Sequence, residues 1–296
     1  MNDVPATSTT GMAEFWRAAL VGAPAVLQLG ADRPRPKTLS YQVGHASLEV
    51  PEDVSNRARH VATTVGCNPR DVLLCALAVA CFRYSGQDDI VVGTPFVRSD
   101  GSSAWLPIRC DFSEDPVLTK LLDHVVAATG LAAEHCEIDR DALIAASMDA
   151  QTESHAPIFQ VAGSTSHGPS PRARTPFPVP PPSHVPLDLV VQLVDREAEM
   201  QLNAEFARDL FDDETIADLL VRLARIIFAI GDDPNVRASA VALLRDDEID
   251  RSLVSARGPD RELPDECLHD AIERQILATP DAPAVTDHEQ IGRAHV

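Results

Sequence analysis

The chain has 296 residues, enough for one large or two small domains, and its 45% hydrophobic and 24% charged content is ordinary for a globular protein. Its formal net charge of −20 argues against nucleic acid and anionic membrane surfaces as partners, since both attract clusters of Lys and Arg. No apolar run is long enough to cross a bilayer, and the polar N-terminus lacks the basic and apolar regions of a secretion signal. These features predict a cytoplasmic protein that binds neither nucleic acid nor membrane.

The six cysteines form no Cys-x-x-Cys pair, and two of them, Cys75 and Cys81, lie inside an apolar stretch. A cytosolic chain with such spacing is expected to keep its thiols reduced and mostly buried. The sequence therefore predicts no metal site.

The first third of the chain predicts one short helix, one strand and two longer helices. Residues 1–12 are small and polar and are expected to be disordered, and a short helix follows over residues 13–21. Pro34 and Pro36 impose an extended link, and residues 44–50 alternate as a half-buried strand does. Helices are predicted over residues 51–65 and 71–84, and the second is apolar on all sides, as in a core helix.

Further strands are predicted over residues 90–93 and 106–112, followed by a helix over residues 115–131. Eight of the 23 prolines lie between residues 165 and 186, which predicts an extended proline-rich loop. Residues 187–206 alternate in two runs, typical of an antiparallel hairpin. A helix with a clean apolar stripe then starts at Asp212 or Asp213 and ends before Pro234.

Residues 233–266 are polar and predict a linker with one short helix, and a new apolar pattern begins at Cys267. The fold expected from this order is α+β, a mixed sheet with helices on one face.

Several segments resemble, in the right order, the second half of condensation domains of nonribosomal peptide synthetases. The first carries Trp16, and the most informative is the run after the core helix, which reads Tyr84, Ser85, Gly86, Gln87, Asp88, Asp89, a short strand, then Gly93, Thr94 and Pro95. Later segments carry Pro157, Phe159 and Gln160, and then Phe211 and Asp212. Residues 268–285 resemble the opening of an adenylation domain.

The resemblance implies a two-lobed fold like that of chloramphenicol acetyltransferase. It also implies the family's activity, in which two carrier-tethered aminoacyl or peptidyl groups are joined through an amide bond. The family's catalytic motif, His-His-x-x-x-Asp-Gly, occurs nowhere in the sequence. The expectation is therefore a second lobe only, over residues 13–232, with no catalytic residue and no activity alone. Its implied partners are the missing N-terminal lobe, an adenylation domain and carrier domains that bear phosphopantetheine; the chain itself binds no cofactor.

The end of the chain is expected to be a truncated adenylation start over residues 267–290. Residues 291–296 resemble the translated tail of a sequencing adapter, a scar without fold information.

Two alternatives stay open. Residues 101–105, just before the predicted strand over residues 106–112, depart from the family's usual pattern. A non-catalytic condensation-like domain that docks a carrier or tailoring partner is therefore one of the two. A free-standing acyltransferase is the other, and the adenylation-like segment counts against it.

Clusters of reactive side chains are few. The sequence places His135, Cys136, Glu137 and Asp139 together, but neighbours along a turn rarely converge on one point, so a solvated turn is favoured over a nucleophile or metal site. His155 and His167 flank the segment that carries Phe159 and are candidates to line the family's substrate tunnel. The acidic groups at residues 212–214 and 246–248 are typical of first turns of helices.

Overall fold

The computed structural model describes residues 9–147, 155–167, 187–196, 199–258, 267–280, 282–286 and 291–293. The chain divides into a first unit, Met1–Leu244, and a second unit, Arg245–Val296. Each is considered by itself. No single helix of the described residues is long and apolar enough to span a membrane; only the second and third helices together, bent by 111°, satisfy such a test by length and composition.

In its described residues, the first unit contains six strands and six α-helices. The strands are β1 (Val43–Val50), β2 (Asp89–Val97), β3 (Ser103–Asp111), β4 (Val161–His167), β5 (Leu189–Asp195) and β6 (Met200–Ala207). The helices are α1 (Thr9–Leu20), α2 (Glu52–Val65), α3 (Pro69–Ser85), α4 (Leu118–Glu134), α5 (Arg140–Ser147) and α6 (Asp213–Asp232).

The strands form one mixed sheet in the order β1-β6-β5-β4-β2-β3. Strand β4 runs parallel to both of its neighbours, β2 and β5, and the other pairs are antiparallel. The predicted hairpin is confirmed, because β5 and β6 pair from Leu189↔Phe206 to Asp195↔Met200. The mixed sheet expected from the sequence is therefore present.

Helices α3 and α6 cover one face of the sheet, as the hydrophobic patterns predict. A Cβ added to Gly163 of β4 would meet Leu74 and Leu77 of α3 at 3.0 and 3.4 Å, which shows the side of β4 that faces α3. Helix α3 is buried along most of its length, and α6 buries its predicted apolar stripe. We call the side of the sheet that α3 contacts the helix face, and the opposite side the second face.

Helix α1 starts at Thr9, four residues before the predicted position. Met12, Trp16 and Leu20 are all buried and recur every fourth residue, so one apolar stripe holds the additional turn in the core. The expectation of disorder up to residue 12 is therefore wrong for residues 9–12, and residues 1–8 lie outside the described part.

Two further elements differ from the sequence-based expectation. Strand β4 continues through His167 because it pairs with β5 as far as His167↔Asp195, so the predicted proline-rich loop does not begin at residue 165. The remainder of that loop, residues 168–186, lies outside the described residues. Helix α5 was not predicted; it buries Leu143, Ile144 and Ala146 within only eight residues.

The segment after α6 packs on the first unit instead of forming an open linker. A short 3-10 helix spans Ala238–Ala240, and Ala238 and Val241 are buried. Arg83 of α3 donates to the carbonyl oxygen of Val241 at 2.9 Å, and Asp115 accepts hydrogen bonds from both the backbone N–H and the hydroxyl of Ser239. The first unit therefore extends beyond residue 232, because these backbone groups find partners in it.

The second unit contains α7 (Asp246–Ala256), α8 (Leu268–Ala278), β7 (Pro283–Thr286) and β8 (Ile291–Arg293). The predicted short helix corresponds to α7. Strands β7 and β8 pair antiparallel, so residues 291–293 take part in a small sheet although they were expected to carry no fold information. Backbone pairing requires no particular side chains, which explains how a tail of this composition becomes a strand.

Candidate functional site

The residues at the end of α3 that carry the family resemblance mostly form contacts that hold neighbouring segments of the first unit together. Gly86 ends α3 with a φ of 67°, a left-handed conformation that glycine adopts without strain. The Gln87 side chain accepts from the backbone N–H of Gln28 at 2.7 Å and donates to the carbonyl of Val26 at 3.2 Å. The Tyr84 hydroxyl accepts a hydrogen bond from Arg222 of α6. The Gln87 contacts tie the segment before β1 to the turn after α3, and the Tyr84 contact ties α6 to the end of α3.

Gln160 holds the same segment from the other side. Its side chain is almost fully buried, accepts from the N–H of Leu27 at 2.7 Å, and donates to the carbonyls of Ala25 and Ala156 at 3.1 and 2.7 Å. A buried carboxamide with three backbone partners has most of its hydrogen-bonding capacity satisfied. Gln160 and Gln87 thus act as paired clamps on residues 25–28.

Asp89 forms a two-pronged ion pair with Arg109 on the neighbouring strand. The guanidinium donates Nε to Oδ1 at 2.9 Å and Nη2 to Oδ2 at 2.7 Å, and its Nη1 donates to the carbonyls of Ala19 and Val21, both at 3.0 Å. The hydrogen bonds to Asp89 raise the pKa of Arg109. The pair fixes the end of α1 against β3, and the sequence revealed neither partner's role, since 20 residues separate them.

Another ion pair joins Arg35 to the buried carboxylate of Asp188, the residue just before β5. Both guanidinium Nη atoms donate to the two carboxylate oxygens, one of them at 3.0 Å. Burial raises the pKa of Asp188, and the hydrogen bond to Arg35 and the nearby charge of His155 oppose that shift. His155 itself is buried, and its Nδ1 lies 3.2 Å from the carbonyl oxygen of Ala156.

Phe159 covers Gly93 on the second face of the sheet, so a Cβ at Gly93 would lie 2.1 Å from the ring. Ile158, just before it, has a φ of 72°, which is rare for a β-branched residue and costs conformational energy. The strained turn aims Phe159 at β2.

A cavity of about 260 Å³ lies beside this turn. Its wall is mostly apolar, with charged groups at Arg98, Asp139 and Arg140. The other lining residues include Trp105, Leu106, Leu143, Ile144, Pro157 and Ile158. Neither tunnel-lining candidate is among them: His155 lies next to lining residue Ala156, and His167 ends β4 with a side chain outside the described part. Their role in a tunnel stays a prediction.

The middle of the second face carries a row of polar side chains in register. Cross-strand pairing places Ser164 opposite Gln192, Gln192 opposite Asn203, and Asn203 opposite Ser47, one residue on each of four adjacent strands. Directly opposed residues point to the same side of a sheet, and Ser164 points away from α3 because Gly163 faces it. We call these four residues the polar row.

The last residues that carry the resemblance, Phe211 and Asp212, lie at the start of α6. Phe211 is buried, and Asp212 is the N-cap residue, as predicted, but its carboxylate pairs with Arg33 and caps no backbone N–H. Asp32 instead accepts from the Asp212 N–H at 2.8 Å and from the Thr215 hydroxyl at 2.9 Å.

Trp16, the first residue that carries the resemblance, is buried and donates its indole N–H to the carbonyl of His135 at 3.2 Å.

The cluster at residues 135–139 does not converge on a site. His135 stacks on Phe15 with centroids 3.8 Å apart, whereas Cys136 is buried and Glu137 accepts from the Ser99 N–H at 2.7 Å. The three side chains serve different partners, which agrees with the interpretation as a turn.

A possible metal-ligand group occurs in the second unit, where Cys267, His269 and Asp270 place ligand atoms within 4.8 Å of one another. All three are exposed, and Asp270 accepts the Cys267 N–H at the start of α8, so helix capping accounts for the arrangement.

Comparison with known proteins identifies the family. The family model for the condensation domain matches residues 7–253. Malpinin synthetase of Mortierella alpina is 26% identical over 292 residues, and chondramide synthase cmdD of Chondromyces crocatus is 28% identical over 295 residues. Each alignment covers 94% of this chain but only 4% and 8% of those synthetases, respectively.

Two solved structures show the same fold. The X-domain in its complex with OxyB from teicoplanin biosynthesis superposes with a TM-score of 0.71 at 24% identity, over 81% of this chain and 56% of that one. The four-domain nonribosomal peptide synthetase AB3403, bound to AMP and glycine, gives a TM-score of 0.74 at 18% identity, over 98% of this chain and 24% of that one.

Proposed function

The chain belongs to the condensation domain family, and from that premise we propose that it works within a nonribosomal peptide synthetase, in a domain that forms amide bonds between carrier-tethered aminoacyl or peptidyl groups. The observation that carries this proposal is the family match over residues 7–253, together with alignment to malpinin synthetase and chondramide synthase cmdD along 94% of the chain. The chain spans less than a tenth of those two synthetases, so the activity of a complete assembly line is part of the proposal.

Within that domain, this chain supplies the C-terminal lobe. The order of the resemblance segments supports this assignment, and in the X-domain match 81% of this chain corresponds to 56% of that chain. The catalytic His-His-x-x-x-Asp-Gly motif is absent from the sequence, so the histidine base belongs to the other lobe. The contribution of this chain is therefore to bind and position substrate.

The second unit would lead into an adenylation domain from residue 267. The resemblance of residues 268–285 to the opening of an adenylation domain supports this. Partners on this proposal are carrier domains bearing phosphopantetheine, an N-terminal lobe and an adenylation domain. The cytoplasmic location stays a prediction.

A chimera tests the proposed function. Residues 9–244 replace the C-terminal lobe in the condensation domain of a working two-module synthetase, and product is measured by mass spectrometry. Dipeptide formation that disappears when the catalytic histidine of the host lobe is changed to alanine supports the proposal. A folded chimera that loads both carriers and forms no amide contradicts it and favours a docking role.

A further inference from the structure

A cavity of about 540 Å³ lies between α1, α4 and β3, the last strand at one edge of the sheet. We call it the edge cavity. Its apolar wall includes Phe15 and Leu20 of α1 and Ala128 and Leu131 of α4. Pockets for small-molecule ligands usually have volumes of about 300–1,000 Å³, so the edge cavity is large enough to hold such a molecule.

Three polar contacts connect the walls of the edge cavity to one another. Trp16 of α1 donates its indole N–H to the carbonyl of His135, at the end of α4, at 3.2 Å. Arg109 of β3 donates to the carbonyl of Ala19 in α1 at 3.0 Å, and the Nε2 atom of His124 in α4 lies 2.8 Å from the carbonyl oxygen of Arg109. Each pair of walls is therefore tied by a hydrogen bond, and the cavity is formed by the fold itself.

Arg109, the arginine in the lining, has few donors left for a ligand. Its Nε and Nη2 atoms donate to the carboxylate of Asp89, and its Nη1 atom donates to the carbonyls of Ala19 and Val21. A guanidinium group has five N–H donors, and these contacts use four of them. A carboxylate or phosphate normally binds arginine through two parallel hydrogen bonds, so this cavity does not favour an anion.

The other polar groups at the cavity are mainly acceptors. Asp88 and Asp111 are exposed, and neither forms an ion pair within the described part of the chain. Hydrogen bonds from Ser113 lower the pKa of Asp111, so its carboxylate is ionised at neutral pH. A carbonyl only accepts, so Nε2 of His124 carries the proton and Nδ1 of the neutral ring is a further acceptor. The polar end of the cavity thus combines negative charge with free acceptors.

We propose that the edge cavity binds a small organic cation that carries an ammonium group on an apolar body. An ammonium group has three N–H donors and no acceptor, which matches the carboxylates of Asp88 and Asp111. The apolar body would lie against the wall formed by both helices. A lysine side chain of a partner protein has the same chemistry, but one side chain would fill only part of a cavity of about 540 Å³. The volume therefore favours a free amine.

Isothermal calorimetry of the 296-residue chain with phenethylamine, which is protonated at neutral pH, tests the proposal. One saturable site is expected. Raising the ionic strength from about 0.1 M to about 1 M should weaken binding, because salt screens exposed charges. Phenethyl alcohol has a similar body without the charge, and hydrocinnamate has the opposite charge. Both should bind at least roughly tenfold more weakly, since each lacks a charged donor.

Substitutions at the polar end test the location of the site. Asp88→Asn and Asp111→Asn should each weaken phenethylamine binding about two- to fivefold, the effect of losing one exposed ion pair. Asp123→Asn is the matched control, because Asp123 is exposed on α4 beside His124 but does not line the cavity. It should leave binding unchanged.

Ala128→Phe provides a test that leaves the carboxylates intact, because the larger side chain fills the cavity from α4. It should abolish binding, and a thermal melt shows that the variant is folded. Binding that survives in folded Ala128→Phe would place the ligand elsewhere and overturn the proposal. Equal binding of phenethyl alcohol, or no saturable binding of phenethylamine, would also overturn it. Tighter binding of acetyl-lysinamide than of phenethylamine would overturn the assignment to a free amine.

The inference goes beyond the proposed function, because it requires neither a carrier domain nor amide formation. An inactive chimera would contradict the proposed function and leave phenethylamine binding intact. An active chimera together with a chain that does not bind phenethylamine would keep the proposed function and overturn the ligand site.

Discussion

The ring of Phe159 lies directly over Gly93, close enough that a Cβ at position 93 would come within 2.1 Å of it. This contact links the turn before β4 to the middle of β2, two segments that are 66 residues apart in the sequence. The same turn borders the 260 Å³ cavity through Pro157 and Ile158. Because position 93 has no side chain, Phe159 can lie against β2 and the turn can take the position in which it borders the cavity.

Gly93→Ala is expected to destabilise the first unit by about 1–3 kcal/mol, because a methyl group must displace a buried aromatic ring. Urea unfolding followed by circular dichroism measures the change. In a Phe159→Ala background the ring is absent, so the same glycine substitution should cost much less. Equal costs in both backgrounds would show that the two positions do not interact.

Gln160→Leu is expected to cost about 2–4 kcal/mol, because it leaves three backbone groups of residues 25, 27 and 156 without their partner in a buried site. Gln87→Leu is the matched control: it removes two hydrogen bonds to the same segment from a more exposed position and should cost less. Hydrogen exchange at Leu27 provides the local measurement. A variant in which that amide stays protected would contradict the clamp.

Arg109→Lys is expected to lower the midpoint of unfolding measurably, since lysine cannot reproduce the two-pronged contact with Asp89 or reach both carbonyls at the end of α1. Arg251→Lys is the control, because its pair with Asp247 is exposed on both sides and such pairs contribute little. Similar melts for both variants would mean that the Asp89 pair is no stronger than a surface pair.

Alkylation should distinguish the cysteines by burial. Cys75, Cys81 and Cys110 are buried, and burial raises the pKa of each, that of Cys110 to about 12, so little thiolate forms in the folded chain. Cys267 is exposed and should react first with iodoacetamide at pH 8. Peptide mapping by mass spectrometry gives the order. Rapid labelling of Cys110 without denaturant would contradict the buried core.

The contact between Asp115 and Ser239 should weaken in acid. The hydrogen bonds from Ser239 lower the pKa of Asp115, so the folded state favours the carboxylate. That stabilisation is present above the ordinary carboxyl pKa and is lost as the pH falls through the lowered one. The difference in Tm between wild type and Ser239→Ala should therefore shrink from neutral pH towards pH 3. A difference that grows in acid would reverse the assigned sign.

The sheet shows most clearly which features could be predicted from the sequence and which could not. Alternation along β5 and β6 predicted the hairpin, because side chains on a strand change face at every residue. The same pattern did not reveal the polar row, since Ser164, Gln192, Asn203 and Ser47 align only through the register of three strand pairs. Similarly, the family resemblance included Asp89, but no local pattern revealed its pairing with Arg109, which depends on the register of two strands.

The sequence by itself determined the core helices, the hairpin, the buried cysteines and the family resemblance, because each depends on a pattern within a few neighbouring residues. Tertiary structure decided the start of α1, the docking of residues 236–241, the contact of Phe159 with Gly93 and the polar row. These depend on which distant segments share an edge or a face, and the pairing register that decides this is a property of the whole packed sheet.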